Sequence, residues 1–109
     1  MGHATGSLHA MLDLTGKVAV VTGGSRGLGL QICEALGEFG ARVVLAARKP
    51  AELEDAAGHL RALGIETDHH ACDLASPDSI AAFAEWLAQR HAAIDILVNN
   101  AGATWGAAM

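Results

Sequence analysis

Tyrosine is absent from this 109-residue sequence, and aromatic residues of all kinds make up only 4% of it. Cysteine occurs twice, at Cys33 and Cys72, which suits a reducing cytoplasm better than a disulfide framework. Half of the chain is hydrophobic (51%), yet no apolar run approaches the roughly 18 residues of a membrane-spanning helix. The leader MGHATGSLHA lacks the cationic start and long apolar centre of a secretory signal. Basic residues are few: seven Lys and Arg stand against twelve Asp and Glu, for a net charge of −5. That balance excludes nucleic acid as the partner, because binding a phosphate backbone needs a basic face. The expectation is therefore a cytoplasmic chain, one domain or part of one, with no membrane and no nucleic-acid partner. Its apolar excess belongs in buried strands or on surface that something else covers.

What is present has a rhythm. Short apolar runs recur about every 25 residues, at 18–21 (VAVV), 42–47 (RVVLAA), more weakly around 67–72, and at 95–98 (DILV). Segments of helical periodicity separate them. From Leu28 the apolar positions Ile32, Leu36 and Phe39 keep helical spacing until Gly40. Pro50 opens a second helix, where its missing N–H costs nothing, with Leu53, Ala56, Ala57, Leu60 and Leu63 as its inner face and Gly64 as its stop. Ser76-Pro77 is a cap and first helical residue, followed by an inner stripe of Ile80, Phe83, Ala84 and Leu87. Alternating strands and helices at this spacing predict consecutive βαβ units, and the first two strands read as buried on both faces. Right-handed crossovers place the first two helices on one face of the sheet. The fold class is thus α/β, a Rossmann-like doubly wound parallel sheet, of which this is the amino-terminal half with strand order 3-2-1-4. A single helix is scant cover for the second face, and the chain reads as unfinished. Residues 1–11 read as a flexible leader, 12–102 as the nucleotide-binding part, and 103–109 as a tail leading to a missing half.

The segment VVTGGSRGLG (20–29) lies where the first strand feeds the first helix. Gly23 permits a tight turn, Gly27 a close approach of backbone to phosphate, and Gly29 close packing of the helix on the sheet. Free N–H groups and the helix dipole then face an anion. The pattern is G-x-x-x-G-x-G; it is not a Walker loop, which needs G-K-[ST]. Taken alone it also describes an ordinary turn, and its strand-to-helix setting is what makes it a nucleotide site.

TGGSRGLG (22–29), Asp73-Leu74 after the third strand and VNNAG (98–102) at the fourth together resemble the classical short-chain dehydrogenases/reductases. LTGKVAVVTG (14–23) is similar to the opening of that family, and the resemblance runs from about Leu12 to Gly102. It implies that Gly23, Gly24, Ser25, Arg26 and Leu28 line the phosphates and nearby riboses. It further implies that Asp73 and Leu74 meet the adenine, that Asn100, Ala101 and Gly102 lie along the cofactor, and that Asn99 ties the sheet together. Asp73 also reads as a helix-start residue, and the paired asparagines as a turn signal.

A NAD-preferring site needs a carboxylate at the end of the second strand to accept from the ribose 2′-OH. Here Ala46-Ala47-Arg48-Lys49 stands there, and no acid comes before Glu52. A 2′-phosphate calls instead for a guanidinium, which bonds it in bidentate fashion. Arg48 is so placed, and Arg26 can close on the same phosphate, so NADP(H) is expected over NAD(H). The bland alternative is that both arginines are merely solvated.

The resemblance implies hydride transfer between a nicotinamide and an alcohol/carbonyl pair. The serine, tyrosine and lysine that carry such catalysis in the family, the last two as Y-x-x-x-K, have no counterpart here: tyrosine is lacking and Lys17 and Lys49 belong to the first two strands. No catalytic residue is assigned, and a small carbonyl or alcohol substrate and a homo-oligomeric state are expected only of a full enzyme. The rivals are a non-catalytic dinucleotide-binding module, sensor or scaffold, and a truncated inactive product. No metal site is expected, because His69 and His70 are adjacent on a strand and point to opposite faces. Cys33 reads as a small buried apolar group. Trp86, off the third helix's stripe, and Trp105 are candidates for covering a subunit contact or the missing half. The fourth strand is expected to present an open apolar edge.

Overall fold

Two runs without polar alternation become the central strands, β1 (Val18–Thr22) and β2 (Arg42–Ala47). Both bury side chains on the two faces of the sheet, as strands sandwiched by helices must. The structure, a computed structural model, describes residues 11–100. Around the two central strands the chain adds α1 (Gly27–Glu38), α2 (Pro50–Ala62), β3 (Thr67–Ala71), α3 (Pro77–Arg90) and β4 (Ile96–Asn99). All strand pairs are parallel and their order is β3-β2-β1-β4, as expected. Of the expected leader only Met11 is described, and it is exposed. Ala101, Gly102 and the tail with Trp105 lie outside the described residues.

Side-chain alternation splits the core in two. On one face Val21, Val43 and Leu45 meet Cys33 of α1 and Leu53, Ala56, Ala57 and Leu60 of α2. On the other, Val20, Val44 and Ala46 meet Cys72 and Phe83 of α3, with Trp86 and Leu87 packed alongside. The sheet is therefore wound on both faces, and the second face is the thinner. Leu97, in register with Val20, is 68% exposed.

Helix ends follow local chemistry. Pro50 is the first residue of α2, with Glu52 in its first turn and His59 and Arg61 in its last, the charge order that a helix dipole favours. The Ser76 hydroxyl accepts from the Ser79 N–H at 3.2 Å and caps α3. At the far end of the sheet Asp95 clasps β4 to β1. Its carboxylate accepts from Val18 N–H at 2.9 Å, and its own N–H donates to the Val18 carbonyl at 2.9 Å.

Three expected inner positions come out differently. Leu63 lies past the end of α2 as its C-cap and is exposed. Ile80 and Ala84 of α3 are exposed as well. Trp86 turns inward in their place. Its ring lies 4.8 Å from that of His70 and 5.9 Å from Phe83, with the Arg90 guanidinium 5.1 Å above it. On the inward side of α3 the rings of Phe83 and Trp86 thus pack on the His70 imidazole, which offers them an aromatic surface. That leaves the Ile80 side without a cover.

Candidate functional site

The carboxyl ends of the four strands open into one crevice of about 850 Å³. Its floor is the turn after β1. Gly23 (φ +68°) and Gly27 (φ +59°) hold left-handed conformations that side chains disfavour. A Cβ on Gly27 would meet nothing within 4 Å, so the backbone there is open to an approaching group. Gly29 differs in kind: a Cβ on it would collide with the Gly23 carbonyl oxygen and crowd the Asn100 amide. Its need for glycine is close approach between the first helical turn and the loop. Gly24 packs beneath the loop, where a Cβ would lie 3.0 Å from Leu45 and 3.2 Å from the Cys33 sulfur.

α1 starts without a side-chain cap. Arg26 is its N-cap residue, in extended conformation, and no side chain accepts from the first turn. Uncapped N–H groups at the positive end of a helix dipole, facing an open crevice, fit a pyrophosphate. Neighbouring strands hold this floor in place. Gly23 N–H donates to the Ala46 carbonyl at 2.7 Å. The Thr22 hydroxyl donates to Asn99 Oδ1 at 3.0 Å and accepts from Asn100 N–H at 3.1 Å, which links β1 to β4.

Of the residues singled out in the sequence, Gly23, Ser25, Arg26 and Gly27 line the crevice on the loop side. Arg48 lines it at the end of β2, Asp73 and Leu74 after β3, and Asn100 after β4. Gly24 and Gly29 lie behind this lining, and Leu28 is 64% exposed beside it. Asp73 serves its local turn as well: Oδ1 accepts from Ala75 N–H at 2.9 Å, and the Asp73 N–H donates to the Ser79 hydroxyl at 2.9 Å. The helix cap itself is Ser76, so Asp73 braces the turn before α3 while lining the crevice.

The wall at the end of β2 is cationic, with Arg26, Arg48 and Lys49 all on the crevice. Lys49 and Glu52 carry no expected role: the first stands beside Arg48, and the second is only the first acid after the second strand. The first turn of α2 returns Glu52 to the crevice, where it lies 4.0 Å from Arg26 Nε and 3.7 Å from Lys49 Nζ. The signal was the spacing from Pro50, which puts residue 52 on the first turn of the helix. A smaller hollow of about 390 Å³ lies at the amino ends of β2 and β3. Its arginines are already engaged: Arg42 with Glu66, Arg61 with the Thr67 carbonyl, and Arg90 with Asp68.

The sequence model of the family described as short chain dehydrogenase matches residues 17–109. The chain is 43% identical over 102 residues to the rhamnolipids biosynthesis 3-oxoacyl-[acyl-carrier-protein] reductase of Pseudomonas aeruginosa, covering 94% of this chain and 40% of that protein. It is 43% identical over 91 residues to the granaticin polyketide synthase putative ketoacyl reductase 1 of Streptomyces violaceoruber, covering 84% and 34%. Among solved structures it is similar to a metagenomic short-chain oxidoreductase in complex with NADP (TM-score 0.78, 51% identity, 83% of this chain and 41% of that one). It is also similar to L-sorbose reductase from Gluconobacter frateurii complexed with NADPH and L-sorbose (TM-score 0.79, 41% identity, 84% and 35%). The chain thus spans well under half the length of these relatives.

Proposed function

The chain belongs to the short-chain dehydrogenases, and on that footing we propose that residues 12–102 are the cofactor-binding part of an NADP(H)-dependent oxidoreductase. The whole protein would exchange a hydride, supplied or taken up by the nicotinamide, between the cofactor and an alcohol/carbonyl pair. The observation that carries the cofactor choice is the cluster of Arg26, Arg48 and Lys49 on one wall of the crevice. Three cations beside the end of β2 match a dianionic 2′-phosphate, and a guanidinium can bond it through two N–H groups. The solved relatives in complex with NADP or NADPH support the same choice.

In this reading the chain's own residues bind and orient. The uncapped start of α1 and the open backbone at Gly27 receive the pyrophosphate. Asp73 and Leu74 flank the adenine, and Asn100, with Ala101 and Gly102 beyond the described residues, runs along the remainder. The relatives' names span 3-oxoacyl-[acyl-carrier-protein], ketoacyl and L-sorbose reductases, and the chemistry they share is reduction of a carbonyl. No catalytic side chain is proposed within these 109 residues. A cytoplasmic location and a homo-oligomeric whole enzyme complete the proposal; among the described residues no helix is long and apolar enough to cross a membrane.

Titrating the purified chain with NADPH and NADH tests this. NADPH is expected to bind at least about tenfold more tightly, the worth of one charge-assisted contact. Arg48→Ala and Arg26→Ala should each erode that preference, and a preference that survives both substitutions would overturn the phosphate assignment.

A further inference from the structure

Glu52 sets a carboxylate in the midst of the crevice's cations. Its side chain is only 33% exposed. Oε1 accepts from the Ser25 hydroxyl at 3.4 Å and lies 4.0 Å from Arg26 Nε, while Oε2 lies 3.7 Å from Lys49 Nζ. One carboxylate therefore reaches the same loop hydroxyl and two of the same cations that a ribose 2′-phosphate would draw on. Pro50 fixes the start of α2, and Glu52 in that first turn sits where the helix dipole favours a negative charge.

We propose that Glu52 is a specificity-determining residue, an internal counter-anion that occupies Ser25, Arg26 and Lys49 and so narrows the discrimination between NADP(H) and NAD(H). The inference rests on the cofactor reading above. A 2′-phosphate entering this wall must displace the carboxylate from its partners or lie beside it, and like charges in a partly desolvated crevice repel. A 2′-hydroxyl meets the opposite situation, because an ionised carboxylate accepts a hydrogen bond from it. Arg48 makes no ion pair among the described residues and lines the same crevice. The preference is then a balance of Arg48, which favours the phosphate, against Glu52, which favours the hydroxyl.

Binding of NADPH and NADH to the full 109-residue chain, measured by calorimetry for the wild type, Glu52→Gln, Glu52→Lys and Arg48→Ala, tests this. Removing the charge in Glu52→Gln should tighten NADPH on the order of five- to tenfold and leave NADH unchanged or weaker. Glu52→Lys should shift the ratio further in the same direction. Both shifts should shrink in high salt, which a purely structural role of Glu52 would not produce. A ratio that stays put in both variants, or nucleotides that gain and lose affinity together, overturns the role of Glu52. If NADPH preference still collapses in Arg48→Ala in that case, the cofactor reading stands and only this inference falls. Failure of the wild type to bind either nucleotide would overturn both.

Discussion

Cys33 illustrates what burial does to one side chain. It is fully enclosed between α1 and the sheet, and its thiol pKa is pushed up from 9.0 to about 12. Desolvation is the main cause; a backbone hydrogen bond opposes it and the nearby Glu34 carboxylate adds to it. The folded state thus holds this proton more tightly than the unfolded state. The contribution is fully present below pH 9 and is lost as pH rises from 9 toward 12, at up to about 1.4 kcal/mol per pH unit. Cys33 should therefore resist alkylation by iodoacetamide at pH 8 in the folded protein and react once urea unfolds it. A native-state reaction at the unfolded rate would contradict this enclosure. The same scale shows what residue identities reveal and conceal. That Gly23, Arg26 and Arg48 line one crevice was legible, because the turn that holds the first two carries its own glycine signature and Arg48 follows the second apolar run. Glu52 was not, since reading outward from the end of β2 measures distance along the chain, whereas a helical turn brings the carboxylate back across the loop.

At the scale of elements, the punctuation in the sequence located each helix closely. Pro50 and Ser76-Pro77 stand where α2 and α3 begin, and the unbroken apolar runs became β1 and β2. The orientation of α3 was harder to read. Its sequence offers two overlapping stripes, Ile80–Phe83–Ala84–Leu87 and Phe83–Trp86–Leu87–Arg90. Periodicity cannot choose between them, because the choice depends on what the sheet presents, and here that is the ring of His70. The cap is a simpler matter. Ser76→Ala removes the acceptor for Ser79 N–H and is expected to cost about 1 kcal/mol, read as a lower urea midpoint with an unchanged m-value. A larger loss would mean that Ser76 also supports the Asp73 turn, whose backbone N–H binds Ser79.

For the molecule as a whole, the strand order could be derived from crossover handedness and the return of the fourth strand beside the first. The uneven cover of the two faces could not be assigned to particular residues until α3 was placed. Leu97 at the margin of the sheet and Ile80 on α3 are both exposed, and bare apolar surface of this kind promotes association. Leu97→Lys is expected to raise the monomer fraction of the 109-residue chain in sedimentation velocity, with little loss of thermal stability, since the side chain contributes little to the core. A wild-type chain that is already monomeric and unfolds cooperatively would show that this face is not adhesive. The Asp95 clasp has a different kind of consequence, one of timing. Val18 and Asp95 are 77 positions apart, whereas every β-α-β unit before them closes over a much shorter loop. Non-local closure is slow, so the β1–β4 contact is expected to form after the local β-α-β units, an order that late protection of the β4 amides in pulsed hydrogen exchange would show. The crevice is lined from both strands, so on that order a nucleotide could bind only after the long loop had closed.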